Sequence, residues 1–492
     1  MWPTSAGRHN VPTELRGRER QLDGEWAVVN GGTEAQTMAK RQTMTASPAS
    51  IPPTALRRRF VALAIPNVFA NLTVPLTGLI DTALLGHWGT VADIAGVGLA
   101  SVIFDYLYWS MGFLRMGTTG LTARAEGAGD RSEVLYLLVR AGGLAAAIGL
   151  AVLLARSLIA EVAFGLLHGE ADAHASARAY FDARIWGAPA TLMNFALIGW
   201  LLGRQRSGLV LAITAIGNIV NVALDYLFIV RWGWGSAGAG WATALSQVAM
   251  LANAAAMVAF VMPQSRPQMS LAQVLQWDRL RELAILSGDI LVRTLALVTG
   301  FALFIDASAA LGTRTLASNA VLLHVVTLSA HFVDGYAYAV ESLAGLLRGS
   351  GQSGRLRSLL FIAMVAGLVT SSAFAVAFTA APQPLFGLLT DHADLLSHII
   401  SDRVWLVPTL IVGSLAYILD GYFIGLTIGR VLSVAMMVSL AIGFIPWLVW
   451  SRVADSGQLL WLAMVSFMVL RTATLAICVP RTWRPEHGPV QA

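Results

Sequence analysis

The chain has one cysteine, Cys478, and one lysine, Lys40. A single thiol excludes an intramolecular disulfide and a thiolate metal cluster, whatever the redox compartment. A phosphate-binding Walker loop needs a lysine after its glycines, and Lys40 stands in a polar tail without one, so nucleotide hydrolysis by this chain is excluded. Charge is scarce too: 12% of residues are charged and 56% hydrophobic, against about 25% charged in an ordinary soluble domain. The arginines behind the net charge of +5 are scattered singly between apolar stretches. That distribution suits membrane orientation and argues against nucleic acid as a partner. The solvent for most of this chain is a lipid bilayer.

Long apolar runs are what the sequence has in abundance. A span needs about 20 apolar residues, and from Arg59 onward twelve candidates follow: 60–86, 92–117, 132–156, 177–203, 208–230, 237–262, 281–306, 314–347, 357–380, 396–425, 431–450 and 457–479. The predicted fold class is therefore an all-α integral membrane protein of twelve transmembrane helices. Pro66, Pro75, Pro189 and Pro408 lie well inside spans, a pattern tolerated where protein or a cavity satisfies the freed backbone groups. Residues 1–56 are expected to be a disordered polar tail. They lack the apolar core of a signal peptide, and Met38 or Met44 can equally serve as the start of translation. The expected organisation is a first lobe over 57–263, a linker over 264–280, a second lobe over 281–480 and a tail over 481–492. Most loop arginines, among them Arg124, Arg204, Arg281, Arg348 and Arg430, fall on one face, with Arg231, Arg314 and Arg452 on the other. The positive-inside rule then places both termini in the cytoplasm.

Two halves align with each other. Arg184-Ile-Trp186-Gly-Ala-Pro189 matches Arg403-Val-Trp405-Leu-Val-Pro408, Gly199-Trp-Leu-Leu-Gly203 matches Gly421-Tyr-Phe-Ile-Gly425, and Gly127-Ala-Gly129 matches Gly349-Ser-Gly351. Each half holds six spans, so the repeats run parallel and are expected to form two pseudo-symmetric six-helix bundles. Substrate sites in such proteins lie near the midplane where the repeats meet.

Without a motor domain, energy must come from an ion gradient, the substrate's own gradient or a partner chain. An ion-coupled carrier needs a group that can be charged or neutral at modest cost, and intramembrane acids are the candidates. Asp81 follows Pro75 in the first span; it is either a coupling group or an acid bonded to backbone freed by the proline. Asn221 and Asp225 are four apart on one face of the fifth span, and Thr243 follows on the sixth. The trio is either functional or ordinary interhelical hydrogen bonding. Asp334, Tyr338 and Glu341 form one stripe on the eighth span, and Asp420 lies inside the tenth. Aromatic rings beside buried acids suit a cation, and helix packing is the alternative. Asp289 and Arg293, four apart, are expected to neutralise each other, and Arg115 to snorkel to the inner membrane surface. His324 and His331 are read as packing residues, with no metal site.

The segments Leu63-Ala-Ile-Pro66, Asp81-Thr-Ala-Leu-Leu-Gly-His87, Phe113-Leu-Arg115-Met-Gly-Thr-Thr-Gly-Leu-Thr-Ala123 and Asp334-Gly-Tyr-Ala-Tyr-Ala-Val-Glu341 resemble the DinF branch of the multidrug and toxic compound extrusion (MATE) transporters, over about residues 58–480. The resemblance implies efflux of amphipathic, often cationic small molecules in exchange for protons or sodium ions, by alternating access of two lobes. It implies that Asp81 is the proton-linked aspartate and that Asn221, Asp225 and Thr243 form the polar group beside it. Asp420 matches an acid that some relatives carry on the tenth helix. Leu297 stands where other relatives have a glutamate, which favours H+ over Na+ as the coupling ion. The expected coupling set is Asp81, Asn221, Asp225 and Thr243, and the expected substrate set Asp81, Asp334, Tyr338, Glu341 and Asp420. No cofactor is expected, and the chain is expected to act as a monomer in the inner or plasma membrane. A flippase for lipid-linked precursors is the alternative; it would want a basic cluster in its cavity, whereas the buried charges read as mainly acidic. An integral membrane enzyme would need a catalytic constellation that the sequence does not display.

Overall fold

The computed structural model describes residues 53–166, 170–262, 270–387 and 393–483. The expected N-terminal tail up to residue 52, the first part of the linker and the last nine residues lie outside the described residues. Every regular element among the described residues is helical, and twelve helices are long and apolar enough to cross a membrane. In the first half these are α1 (Thr54–Trp88), α2 (Val91–Ala128), α3 (Arg131–Leu154), α4 (Ala171–Gly203), α5 (Ser207–Arg231) and α6 (Gly235–Val261). In the second they are α7 (Leu271–Ala310), α8 (Thr313–Gly349), α9 (Ser353–Ala380), α10 (Asp394–Gly425), α11 (Gly429–Val453) and α12 (Gly457–Trp483). In hydrocarbon every backbone polar group must be met internally, which a helix does within its own segment.

The repeat is visible in the backbone. Left-handed residues recur 222 positions apart, from Gln205 to Thr427, Gly129 to Gly351 and Gly233 to Asp455. Pro189 and Pro408 each enter their helix just after a 3-10 turn, Ile185–Gly187 and Arg403–Trp405. A π-helical turn follows in α5 (Tyr226–Arg231) and again in α11 (Ser439–Phe444). The glycines of α4 and α10 play matching roles. A Cβ at Gly199 would lie 2.5 Å from the Arg115 carbonyl of α2, and one at Gly421 2.5 Å from the Ala337 carbonyl of α8. Helices in lipid associate through such close backbone approach.

Each half has its own core. Phe104, Tyr180 and Phe181 interlock in the first, and Phe304 packs edge-on against Trp461 in the second. Polar anchors fix the helices within each half. The Trp200 indole donates to the Val134 carbonyl at 2.7 Å, and the Trp461 indole to Asn319 Oδ1 at 2.9 Å.

The halves meet along α1, α2, α4, α8 and α10. Asn71 donates to the His331 carbonyl, Ser342 to the Leu202 carbonyl at 2.7 Å, and Arg124 to Thr427 at 3.0 Å and to Glu282. A Cβ at Gly120 would lie 2.4 Å from the Ile424 carbonyl. Apart from Asn71–His331 at the middle of α8, these contacts occupy the parts of α2, α8 and α10 toward the face on which those helices end. Asp81, near the far end of α1, lies beyond them.

Candidate functional site

The interior carries two charged clusters, one in each half. In the first half, Asp81 on α1 is 9% exposed, while Asn221 and Asp225 on α5 are 2% and 0% exposed. The one-face spacing of Asn221 and Asp225 is thus realised as burial. The Asp81 and Asp225 carboxyls lie within hydrogen-bonding reach of one another. Among the described residues, the amide of Asn221 has no bonding partner, and both oxygens of Asp225 and one of Asp81 have none outside the pair. Asp225 is also the last residue before the π turn of α5, and such turns cluster at functional sites. Thr243 is not brought into this group by any bond; its hydroxyl donates to the Ala239 carbonyl of its own helix at 3.0 Å.

A residue outside the expected set completes the first cluster. Arg184, at the 3-10 turn inside α4, faces both Asp81 and Asp105. Its guanidinium donates to the Tyr180 hydroxyl at 2.8 Å and lies 4.4 Å from the centre of the Phe104 ring. Its sequence context marked it only as a repeat landmark.

The second cluster is built from five helices. Arg293 of α7 and Arg471 of α12 both donate to the same oxygen of Asp420 on α10. Arg115 of α2 reaches across from the first half. It stands 3.6 Å from the Glu341 carboxylate, which is 1% exposed, and 3.9 Å from the centre of the Tyr338 ring. Asp334 lies in the field of Arg115, Arg293, Arg471 and His331. His331 itself bonds the Thr327 carbonyl of its own helix at 2.7 Å.

Three expectations are corrected here. Arg293 neutralises Asp420, not Asp289, because α7 turns Arg293 inward while Asp289 accepts from Ser433 on α11 at 2.9 Å. Asp289 instead helps line a cavity of about 490 Å³ with Asp278, Glu282, Thr427 and Arg430. Arg115 does not snorkel; a carboxylate and a tyrosine face hold it inside. The buried charges are not mainly acidic either, since Arg184, Arg293, Arg471 and Arg115 stand among the carboxyls. A guanidinium two or more spans away from its acid in the chain leaves no local spacing to find.

With this geometry in hand, similarity to known proteins becomes informative. The family profile described as MatE matches residues 66–227, which hold both carboxyls of the first cluster. DNA damage-inducible protein F of Escherichia coli (strain K12) is 33% identical over 430 residues, covering 86% of this chain and 92% of that protein. The chain belongs to the MATE family. Protein DETOXIFICATION 44, chloroplastic, of Arabidopsis thaliana is 25% identical, covering 84% of this MATE chain and 80% of its own length. Among solved structures, a MOP superfamily transporter from Pyrococcus furiosus superposes with a TM-score of 0.80 at 18% identity, covering 88% of this chain and 97% of that one. It is described as having a binding pocket of reverse polarity that suggests a different function. A MATE transporter solved in complex with MaL6 gives 0.77 at 18% identity, covering 87% and 95%. MATE proteins are transporters of small molecules, not enzymes, and this chain is a multi-pass membrane protein of that kind.

Proposed function

We propose that this chain is a proton-driven exporter of amphipathic or cationic compounds, with the Asp81–Asp225 carboxyl pair carrying the coupling proton. The observation that carries this reading is the contact between two buried carboxyls on neighbouring helices, with Arg184 nearby but no basic side chain among the described residues bonded to either. Two adjacent carboxylates repel, so the pair is comfortable with one proton between them or with a cation beside them. Proton and cationic substrate then compete for the same negative charge. That competition is what antiport requires.

In this scheme a proton entering from outside neutralises the pair and releases the substrate. Its loss to the cytoplasm, after the lobes rock, restores the charge that recruits the next substrate. Both termini are assigned to the cytoplasm by the arginine bias of the loops, the host is the inner or plasma membrane, and one chain suffices. The contacts between lobes, gathered toward one face, fit a state closed on the cytoplasmic side. Sodium is disfavoured because Leu297 stands where other relatives have a glutamate, and the buried acid Asp420 of the second half already holds two guanidiniums.

The test is drug-evoked proton release from purified protein, with and without sodium. The wild-type chain should release protons independently of sodium, and Asp81→Asn should fold, insert and release none. Undiminished release from Asp81→Asn removes the pair from the mechanism. The flippase reading is favoured by one observation, the arginines of the second cluster. Because the three guanidiniums face three acids, Asp334, Glu341 and Asp420, the cluster lacks the net positive charge that a phosphate headgroup would want, and the exporter reading is the stronger. Counterflow of a fluorescent cation in vesicles, with and without a pH gradient, separates the two.

A further inference from the structure

The second cluster holds buried hydrogen-bond donors that its own acids do not meet. Each guanidinium carries several N–H donors, no acceptor and a charge it cannot lose. The acids facing Arg115, Arg293 and Arg471 are Asp334, Glu341 and Asp420, so charge balances when all are ionised, but hydrogen bonding does not. Arg293 and Arg471 converge on one oxygen of Asp420; among the described residues the Nε–H of each has no partner, and the other oxygen of Asp420 and one oxygen of Glu341 are held too far from these donors to meet them. Arg115 Nη1, 3.6 Å from Glu341, is beyond hydrogen-bond distance and is likewise unpartnered. Arg293 and Arg471 are 6% and 0% exposed. A buried donor left unmet is costly, more so when it is charged, so three in one place call for an acceptor.

The surroundings indicate what kind. Asp334, Tyr338 and Tyr417 keep part of their surface exposed although groups from α2, α7 and α12 surround them. Side chains so surrounded and yet partly accessible leave room beside them for a bound group. Arg471 lies 5.1 Å from the centre of the Tyr417 ring and Arg115 3.9 Å from that of Tyr338, so the walls are aromatic and the donors planar forks. Planar forks match a carboxylate, and ring faces match the apolar body attached to it. An unmet N–H donor cannot be satisfied by a cation, only by an acceptor.

We propose that this guanidinium-rich half of the interior is a binding site for the carboxylate of an amphipathic substrate. This rests on the export reading for its physiological ligand and deepens it. The first half takes cationic groups at Asp81 and Asp225, the second takes acidic ones at Arg293, Arg471 and Arg115, and the compounds best matched to both are zwitterions.

The experiment is equilibrium binding of two dyes to the purified full chain in nanodiscs of neutral lipid, without any gradient. Rhodamine 110 carries a free carboxyl, and rhodamine 123 is its methyl ester. The wild-type chain should bind the acid several-fold more tightly than the ester. Arg293→Gln should weaken the acid about tenfold and leave the ester within twofold. Asp334→Asn, which removes a competing internal carboxylate and keeps the shape, should tighten the acid alone. Equal binding of the two dyes, or variants that move both alike, would mean that water alone meets these donors and overturns the proposal. Displacement of the acid dye by farnesyl phosphate more readily than by an unlabelled amphipathic carboxylic acid would assign the site to lipid phosphate, which also overturns it. The ester's own binding, tested with Asp81→Asn, reports on the first cluster. Failure of the export reading would therefore show in a different dye.

Discussion

At the scale of the residue, two acids that touch should behave as one group. If Asp81 and Asp225 share a proton, Asp81→Asn, Asp225→Asn and the double variant should each abolish drug-evoked proton release, and the double should be no worse than either single. Groups acting as a unit are non-additive in this way. Additive partial losses, measured by the same proton-release assay, would show instead that each acid acts alone. Both residues were legible in the sequence, because a lone acid inside an apolar run is conspicuous and four-residue spacing shares a helix face. Arg471 was not legible: it reads as an ordinary basic residue near the end of a span, and its partner Asp420 lies on another helix. Nor was the outcome for Thr243 readable, since spacing brings a residue to the right helix without deciding whether its hydroxyl turns to a neighbour or to its own backbone.

At the scale of the element, the glycines that fit α2 and α4 to each other and α8 to α10 are packing devices with a measurable cost of change. A Cβ at Gly425 would stand 2.2 Å from the Glu341 carbonyl, where backbone must move to make room. Gly425→Ala should destabilise the chain by about 1–3 kcal/mol, the usual range for overpacking, read as a lower midpoint in a thermal-shift assay in detergent. Gly208→Ala on α5 is the control, since nothing lies within 4 Å of its Cβ position, and it should be neutral or slightly stabilising. A loss of similar size in both would dissociate stability from this contact. The sequence carried the repeat of these glycines plainly, as it carried the number of spans. It did not carry the docking of the linker. The short helix Leu271–Val274 is fixed by Arg140, which is 4% exposed and donates to the Gln273 carbonyl at 2.7 Å and the Val274 carbonyl at 3.0 Å. Those acceptors are main chain, and main-chain acceptors leave no trace in residue identity.

At the scale of the whole molecule, the two halves must separate on one face if access is to alternate, and Arg115 with Glu341 is the buried charge pair that joins them across that face. Removing one partner of a buried pair leaves the other uncompensated, at a cost of about 3–5 kcal/mol. That cost falls on the state in which the halves are closed around the pair. Opening brings water to Arg115 and relieves it. Glu341→Gln should therefore shift the equilibrium toward separation by more than tenfold, and the reciprocal exchange of Arg115→Glu with Glu341→Arg should recover much of the closed population. The single native thiol makes the measurement direct. In a Cys478→Ser background, spin labels at Arg131→Cys and Gly354→Cys, exposed positions in the first and second halves, report the distance between halves at that face. A longer distance population in Glu341→Gln, reduced in the exchanged pair, is the expected result. If the distance distribution stays as in the parent, the pair is a passive packing contact, and closure is held by the glycine contacts of α2, α8 and α10 alone.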